Sequence, residues 1–167
     1  CSSDLAGEKS VEAIGGAYLI FRTSWVYSLR RQSFVTKVLQ WARQYETLRV
    51  VDDQISTPTW ARDLAEITAQ VIAQGRGNAV GYIAERAGLY HLTDQGSCSR
   101  FEWAKMILQL DPDKETQIVK SLQPAKTIEF PAPATRPLHS ILSCKKFQDT
   151  FSIPTPPWDV ALRLSME

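Results

Sequence analysis

Three cysteines, two histidines and two methionines are all the soft or imidazole ligands that 167 residues contain. Cys1, Cys98 and Cys144 are odd in number and far apart, so they make neither a zinc-ligand spacing nor a disulfide framework. His91 falls inside the apolar run L-Y-H-L-T and His139 inside a proline-rich stretch, so spacing supports no histidine-based triad or metal site. Excess charge is missing too. Nineteen Lys and Arg against 18 Asp and Glu leave a net +1, which gives no electrostatic reason to expect nucleic acid or an anionic membrane as partner. No run of 18 apolar residues is available to span a bilayer, and the first ten residues lack the basic and apolar segments of a secretory signal. A reduced, cytoplasmic setting is the expectation. The most consequential absence is a G-x-G-x-x-G turn between a strand and a helix, the device that brings a dinucleotide's phosphates against backbone N–H groups. Gly75 and Gly77 follow a helical pattern and Gly15-Gly16 precede a strand pattern, so both pairs read as helix stops.

Hydrophobic content of 44% and charged content of 22% belong to a globular chain of one domain's size. A helix is expected over residues 4–14, capped by Ser2 or Ser3, then a buried strand over 17–23. Apolar residues at helical spacing place a helix over 33–45 with Ser33 as its cap, followed by a short strand at 48–51. Residues 52–59 read as a loop. Thr59 or Trp60 opens a helix to about Gln74, with Ala61, Leu64, Ala65, Ile67, Thr68 and Val71 facing inward. The glycine-rich stretch 75–88 reads as a surface loop and 89–92 as a strand; Ser97 or Ser99 caps a helix over 100–110, with Glu102 at capping-box spacing from Ser99. An edge strand at 118–122, a proline-rich extended connection, and helices at 143–151 and 159–166 complete the chain. The fold class is α/β, or α+β in isolation, in a single domain over 1–167.

Three segments carry candidate chemistry. R-T-S-W-V-Y-S at 22–28 ends a strand, where ligands bind α/β sheets. V-V-D-D-Q-I-S-T-P-T-W-A-R-D-L-A-E at 50–66 places a loop before a helix N-terminus, which presents free N–H groups to an anion. A-T-R-P-L-H-S at 134–140 sets one arginine in a rigid proline frame. Paired aspartates Asp52-Asp53 read as turn formers rather than metal ligands.

Read in order, L-A-G-E at 5–8, R-T-S-W-V-Y at 22–27, V-V-D-D-Q at 50–54, P-T at 58–59, A-R-D-L-A at 61–65, Y-H-L-T at 90–93 and R-P-x-x-S at 136–140 resemble the dTDP-4-dehydrorhamnose reductase family, within the extended short-chain dehydrogenase/reductases. The resemblance covers nearly the whole chain, from Leu5 to the helix at Trp158. It implies the C-terminal, sugar-nucleotide-binding portion of such an enzyme. Residual Rossmann elements would occupy about 1–45 and the sugar-nucleotide part about 46–167, with the N-terminal Rossmann half lacking. Intact members use NADP or NAD to reduce dTDP-4-dehydro-L-rhamnose to dTDP-L-rhamnose, and no cofactor is expected on this chain alone. The partner implied is a dTDP-sugar nucleotide.

By the same resemblance Trp25 packs near the sugar and the nicotinamide. Gln54, Pro58 and Thr59 line the nucleotide-sugar pocket, and Arg136 is a phosphate-side arginine, a role for which guanidinium forks are suited. Lys37 and Arg62 read as solvated helix-face charges, and many relatives carry Asn where His139 stands here. The family's catalytic pair departs. Its tyrosine would fall one residue before Cys1, and its lysine position holds Asp4, a carboxylate that would raise the tyrosine's pKa and repel cofactor phosphate. No catalytic residue and no metal ligand is therefore assigned, and a fragment without reductase activity is expected. The competing reading is a non-catalytic sugar-nucleotide-binding or regulatory module of the same family. Removal of a Rossmann half would uncover apolar surface, so self-association is expected as well.

Overall fold

The structure is a computed structural model and describes residues 2–131, 134 and 136–167. The Cys1 position and Pro133 of the expected proline frame lie outside those residues. Helix α1 (Ser2–Ile14) ends at Gly15 and Gly16, whose φ values of 72° and 82° turn the chain toward strand β1 (Leu19–Arg22). β1 pairs in parallel with β6 (Gly88–His91), Leu19 opposite Gly88 and Arg22 opposite His91. Leu19, Ile20 and Phe21 are half-buried and Arg22 is exposed, so β1 is not the fully buried strand expected of 17–23. Arg22 instead reaches back to Glu8 of α1 at 2.6 Å.

A second parallel pair joins β2 (Val26–Tyr27) to β5 (Thr59–Trp60), and a third joins β3 (Thr47–Val51) to β8 (Ser121–Ala125). β4 (Ile55–Ser56) pairs antiparallel with β7 (Cys98–Ser99). Among the described residues eight short strands in four two-stranded units thus stand where four or so short strands are expected, and the loop at 52–59 is threaded by two of the units. β8 sits three residues further along than expected and contains Pro124, which a two-stranded edge tolerates because one side of the strand needs no N–H donor.

The helices follow their caps. Ser33 and Thr36 form a reciprocal capping box that starts α2 (Phe34–Ala42), and Ser99 with Glu102 does the same for α5 (Arg100–Leu110). α3 (Ala61–Ala73) buries Ile67 and Val71 while Ala65 is exposed, contrary to the expected inner face. The stretch read as a surface loop holds α4 (Ala79–Ala84), capped by Asn78, whose Oδ1 accepts from Gly81 N at 3.0 Å. A Cβ on Gly81 would stand 2.4 Å from that Asn78 side chain, so glycine is what lets the cap fold over the helix start. α6 (Lys145–Phe151) and α7 (Trp158–Met166) close the chain, with Pro157 as the N-cap of α7.

Two apolar clusters hold these elements. One gathers Tyr27, Val35, Val38, Val50, Trp103, Ile107 and Leu162, joining α2, α5 and α7 to β2 and β3. The other gathers Ile67, Val71, Tyr90, Leu92, Phe147 and Phe151 between α3, β6 and α6. Trp103, 1% exposed, is the largest fully buried side chain. It stacks on Trp25 with ring centroids 5.6 Å apart, meets Phe34 at 4.8 Å, and takes Tyr27 edge-on at 5.6 Å.

Candidate functional site

A cavity of about 960 Å³ opens where α2, β3 and the start of α5 converge under the turn at Thr127–Glu129 and the segment carrying Arg136 and Leu138. The Ser33 capping box fixes the phase of α2, so Phe34, Lys37 and Trp41 fall on one helical face and line this space. The Ser99–Glu102 box likewise places Arg100 at the first helical position of α5, and Arg100 N donates to Gln54 O at 3.2 Å. β3 contributes Arg49, Val50 and Val51, and the turn contributes Thr127, Ile128 and Phe130. The volume falls within the range of small-molecule sites, and the wall mixes aromatic and aliphatic surface with a few polar groups.

Carboxylates near the cavity are already engaged. Thr127 donates to Asp53 through its backbone N at 2.9 Å and its hydroxyl at 2.6 Å, and accepts from Gln54 Nε2 at 3.1 Å. Those Thr127 bonds hold the Asp53 carboxyl below the usual carboxylate range. Asp52 takes Lys126 at 2.8 Å, and Glu129 takes Arg49. Three contacts thus pin the 126–129 turn onto the end of β3 and fix one rim of the cavity.

The cations divide differently. Arg49 is paired, whereas Lys37, Arg100 and Arg136 have no carboxylate within salt-bridge distance among the described residues. Arg100 lies in an aromatic bed, its guanidinium carbon 4.0 Å from the Trp25 ring, 4.7 Å from Phe34 and 5.5 Å from Trp103. Burial, and then the positive charge of Arg136, push the Arg100 guanidinium down to about 10. Two like charges lining one cavity, one of them largely desolvated, make a place where a polyanion is favoured.

Of the residues expected from the sequence, Gln54 and Arg136 line the cavity. Trp25 stands behind the wall, half-buried, touching the cavity through Arg100. Pro58 and Thr59 are buried and not on the wall. Thr59 pairs with Val26 in the β2–β5 ladder, donates its N–H to Trp25 O at 3.3 Å and turns its hydroxyl onto Thr57 O. Ladder and core packing claim this P-T step. Lys37, read as a solvated charge, lines the cavity, while Arg62 is exposed beside Glu66 at 2.6 Å as expected. The sequence reading does not single out Arg100, although its position gives a signal: a cation at the positive end of a helix dipole, beside Phe101 and Trp103, needs an external reason.

Among the described residues no group of three His, Cys, Asp or Glu side chains converges, and no helix is long and apolar enough to cross a membrane. The β5–α3 junction, a direct strand-to-helix turn, contains Trp60 rather than glycine, and Trp60 N already donates to Asp94 Oδ2 at 3.1 Å.

Comparison with known proteins follows the same line. The family described as RmlD substrate binding domain matches residues 1–167. A dTDP-4-dehydrorhamnose reductase of Burkholderia thailandensis is 36% identical over 167 residues, taking in 98% of this chain and 55% of that protein. That of Escherichia coli K12 is 34% identical over 160 residues, with 95% of this chain and 52% of that protein covered. A dTDP-4-dehydrorhamnose reductase structure from Clostridium acetobutylicum aligns with a TM-score of 0.84 at 32% identity, over 99% of this chain and 53% of that one. One from Bacillus anthracis, in complex with NADP, gives 0.81 at 31%, over 97% and 52%. The chain spans about half the length of the curated relatives it matches.

Proposed function

The chain belongs to the RmlD substrate binding domain family, and from that premise we propose that it is the sugar-nucleotide-holding part of a dTDP-4-dehydrorhamnose reductase. The whole enzyme reduces the 4-keto group of dTDP-4-dehydro-L-rhamnose with a nicotinamide cofactor to give dTDP-L-rhamnose. In this reading the chain contributes the pocket for the sugar nucleotide. The observation that carries the reading is the cavity beside α2 and α5, in which Arg100 and Arg136 stand against aromatic walls with no carboxylate partner among the described residues. A nucleoside diphosphate supplies what such a space lacks: negative charge for the arginines and a flat, partly apolar base for Phe34, Trp41 and Phe130.

Asp4 lies in the first turn of α1 where the family places a lysine, and this favours a second reading, a sugar-nucleotide-binding module without turnover. Both readings place dTDP-sugar in the same cavity and differ only in the intact protein's activity. Thermal denaturation of the chain against a nucleotide panel tests their common ground. Ligand that binds the folded state raises the melting temperature with concentration. dTDP is expected to protect more than thymidine or GDP, and protection by GDP alone would overturn the assignment. Under either reading the isolated chain leaves NADPH unoxidised in the presence of keto-sugar nucleotide.

A further inference from the structure

Arg100 is held unlike any other cation of the cavity. It lines the space, yet one side of its guanidinium is gripped by rings from three different parts of the chain: Trp25 after β1, Phe34 at the start of α2, and Trp103 within α5. Among the described residues it has no carboxylate partner, and Arg136 adds like charge from across the cavity. Trp25 is peculiar in turn. Its φ of 41° is left-handed, a conformation a bulky side chain rarely adopts. The surroundings over-determine it: the indole stacks on Trp103 at an interplanar angle of 7°, Trp25 O accepts from Thr59 N, and the neighbouring Ser24 hydroxyl donates to Thr57 O at 2.8 Å.

We propose that Arg100 is a positioning residue that binds the diphosphate of the sugar nucleotide on the cavity side and, through its stack on Trp25, couples occupancy of the cavity to the conformation of the chain leaving β1. This rests on the reading of the cavity as a sugar-nucleotide site and adds a residue and a coupling to it. An anion at the guanidinium edge relieves the repulsion between Arg100 and Arg136 through charge-assisted hydrogen bonds. A guanidinium so oriented has one preferred plane, and the indole parallel to Trp103 is the surface against which that plane rests. Lysine carries the charge without the plane, so Arg100→Lys separates the two roles.

The test uses the chain itself, with inorganic pyrophosphate and dTDP as probes, calorimetry for affinity, and tryptophan fluorescence with near-ultraviolet circular dichroism for the aromatic stack. In wild type both probes bind and alter the tryptophan signal, and Trp25→Phe diminishes that change, leaving the part that Trp41 on the cavity wall supplies. Arg100→Gln is expected to weaken both probes by about tenfold or more, the loss of one charge-assisted contact. Arg100→Lys is expected to recover part of the affinity with the tryptophan change diminished in the same way. Unchanged affinity in Arg100→Gln overturns the proposal, as does a full tryptophan response in Arg100→Lys. If dTDP binds wild type and Arg100→Gln equally, the coupling fails while the sugar-nucleotide reading stands. If pyrophosphate binds through Arg100 but dTDP binds no better than GDP, the sugar-nucleotide reading fails while the anion role of Arg100 stands.

Discussion

Replacing Asp94 with asparagine should make the protein relatively more stable as pH rises. Asp94 follows β6, is 3% exposed, and accepts from Trp60 N through Oδ2 while its buried Oδ1 has no partner among the described residues. Burial, only partly offset by that Trp60 bond, pushes its carboxyl up to about 7, and the charge of Asp63 on α3 adds to the rise. The folded chain thus holds a proton here that the unfolded chain gives up near the ordinary value of 3.8. The stability from that proton is complete below pH 4 and is lost as pH climbs through about 7. The whole displacement is worth about 4 kcal/mol, of which about 3 kcal/mol falls between pH 5 and pH 8. Asparagine cannot lose a proton and keeps an acceptor for Trp60 N. Urea denaturation of wild type and Asp94→Asn at pH 5 and pH 8 reads the effect as a difference of differences, in which groups common to both proteins cancel. The variant should gain about 3 kcal/mol on wild type over that interval. A difference constant to within about 0.5 kcal/mol would refute the idea that Asp94 is protonated by burial.

Other expectations follow from the same contacts. Trp103→Ala empties the centre of the larger cluster and should cost about 3–5 kcal/mol in denaturant titration; a loss under about 1 kcal/mol would mean the stack with Trp25 and Phe34 is not structural. Thr127→Val removes the hydroxyl linking Gln54 to Asp53 and should weaken dTDP binding about two- to tenfold with the circular dichroism spectrum unchanged; undiminished affinity would show that the 126–129 turn does not shape the cavity. α1 leaves Leu5, Val11 and Ile14 exposed, and β1 is paired on one edge only among the described residues, so the isolated chain should self-associate; a monodisperse monomer by light scattering contradicts this.

Most of the helices were legible because their start signals are local. Ser33 and Ser99 name the first residues of α2 and α5, and the spacing of Ile67 and Val71 marks the inner stripe of α3. α4 was not legible, because Gly75 and Gly77 precede its start and Gly81 sits inside it; only the folded structure shows that Gly81 makes room for the Asn78 cap. The strands were read by their apolar content, but their partners lie 33 to 74 residues away in sequence, and two-residue pairings such as Val26–Thr59 leave almost no periodic trace. The cavity followed a similar division. Gln54 and Arg136 came from motif order, whereas Phe34, Trp41 and Arg100 depend on the relative phase of two helices, which tertiary packing sets. Pro58 and Thr59 show the converse: a motif can mark the packing beneath a site without reaching its wall.

We propose that the cavity between α2 and α5 takes a thymidine diphosphate through Arg100 and Arg136, which have no carboxylate partner among the described residues. Calorimetric titration of the chain with dTDP and with thymidine, at two salt concentrations, tests it most directly. A saturable site that prefers dTDP by at least about tenfold, and weakens as salt rises, is the predicted result. Equal affinity for dTDP and thymidine, or no saturable binding of dTDP, would contradict it.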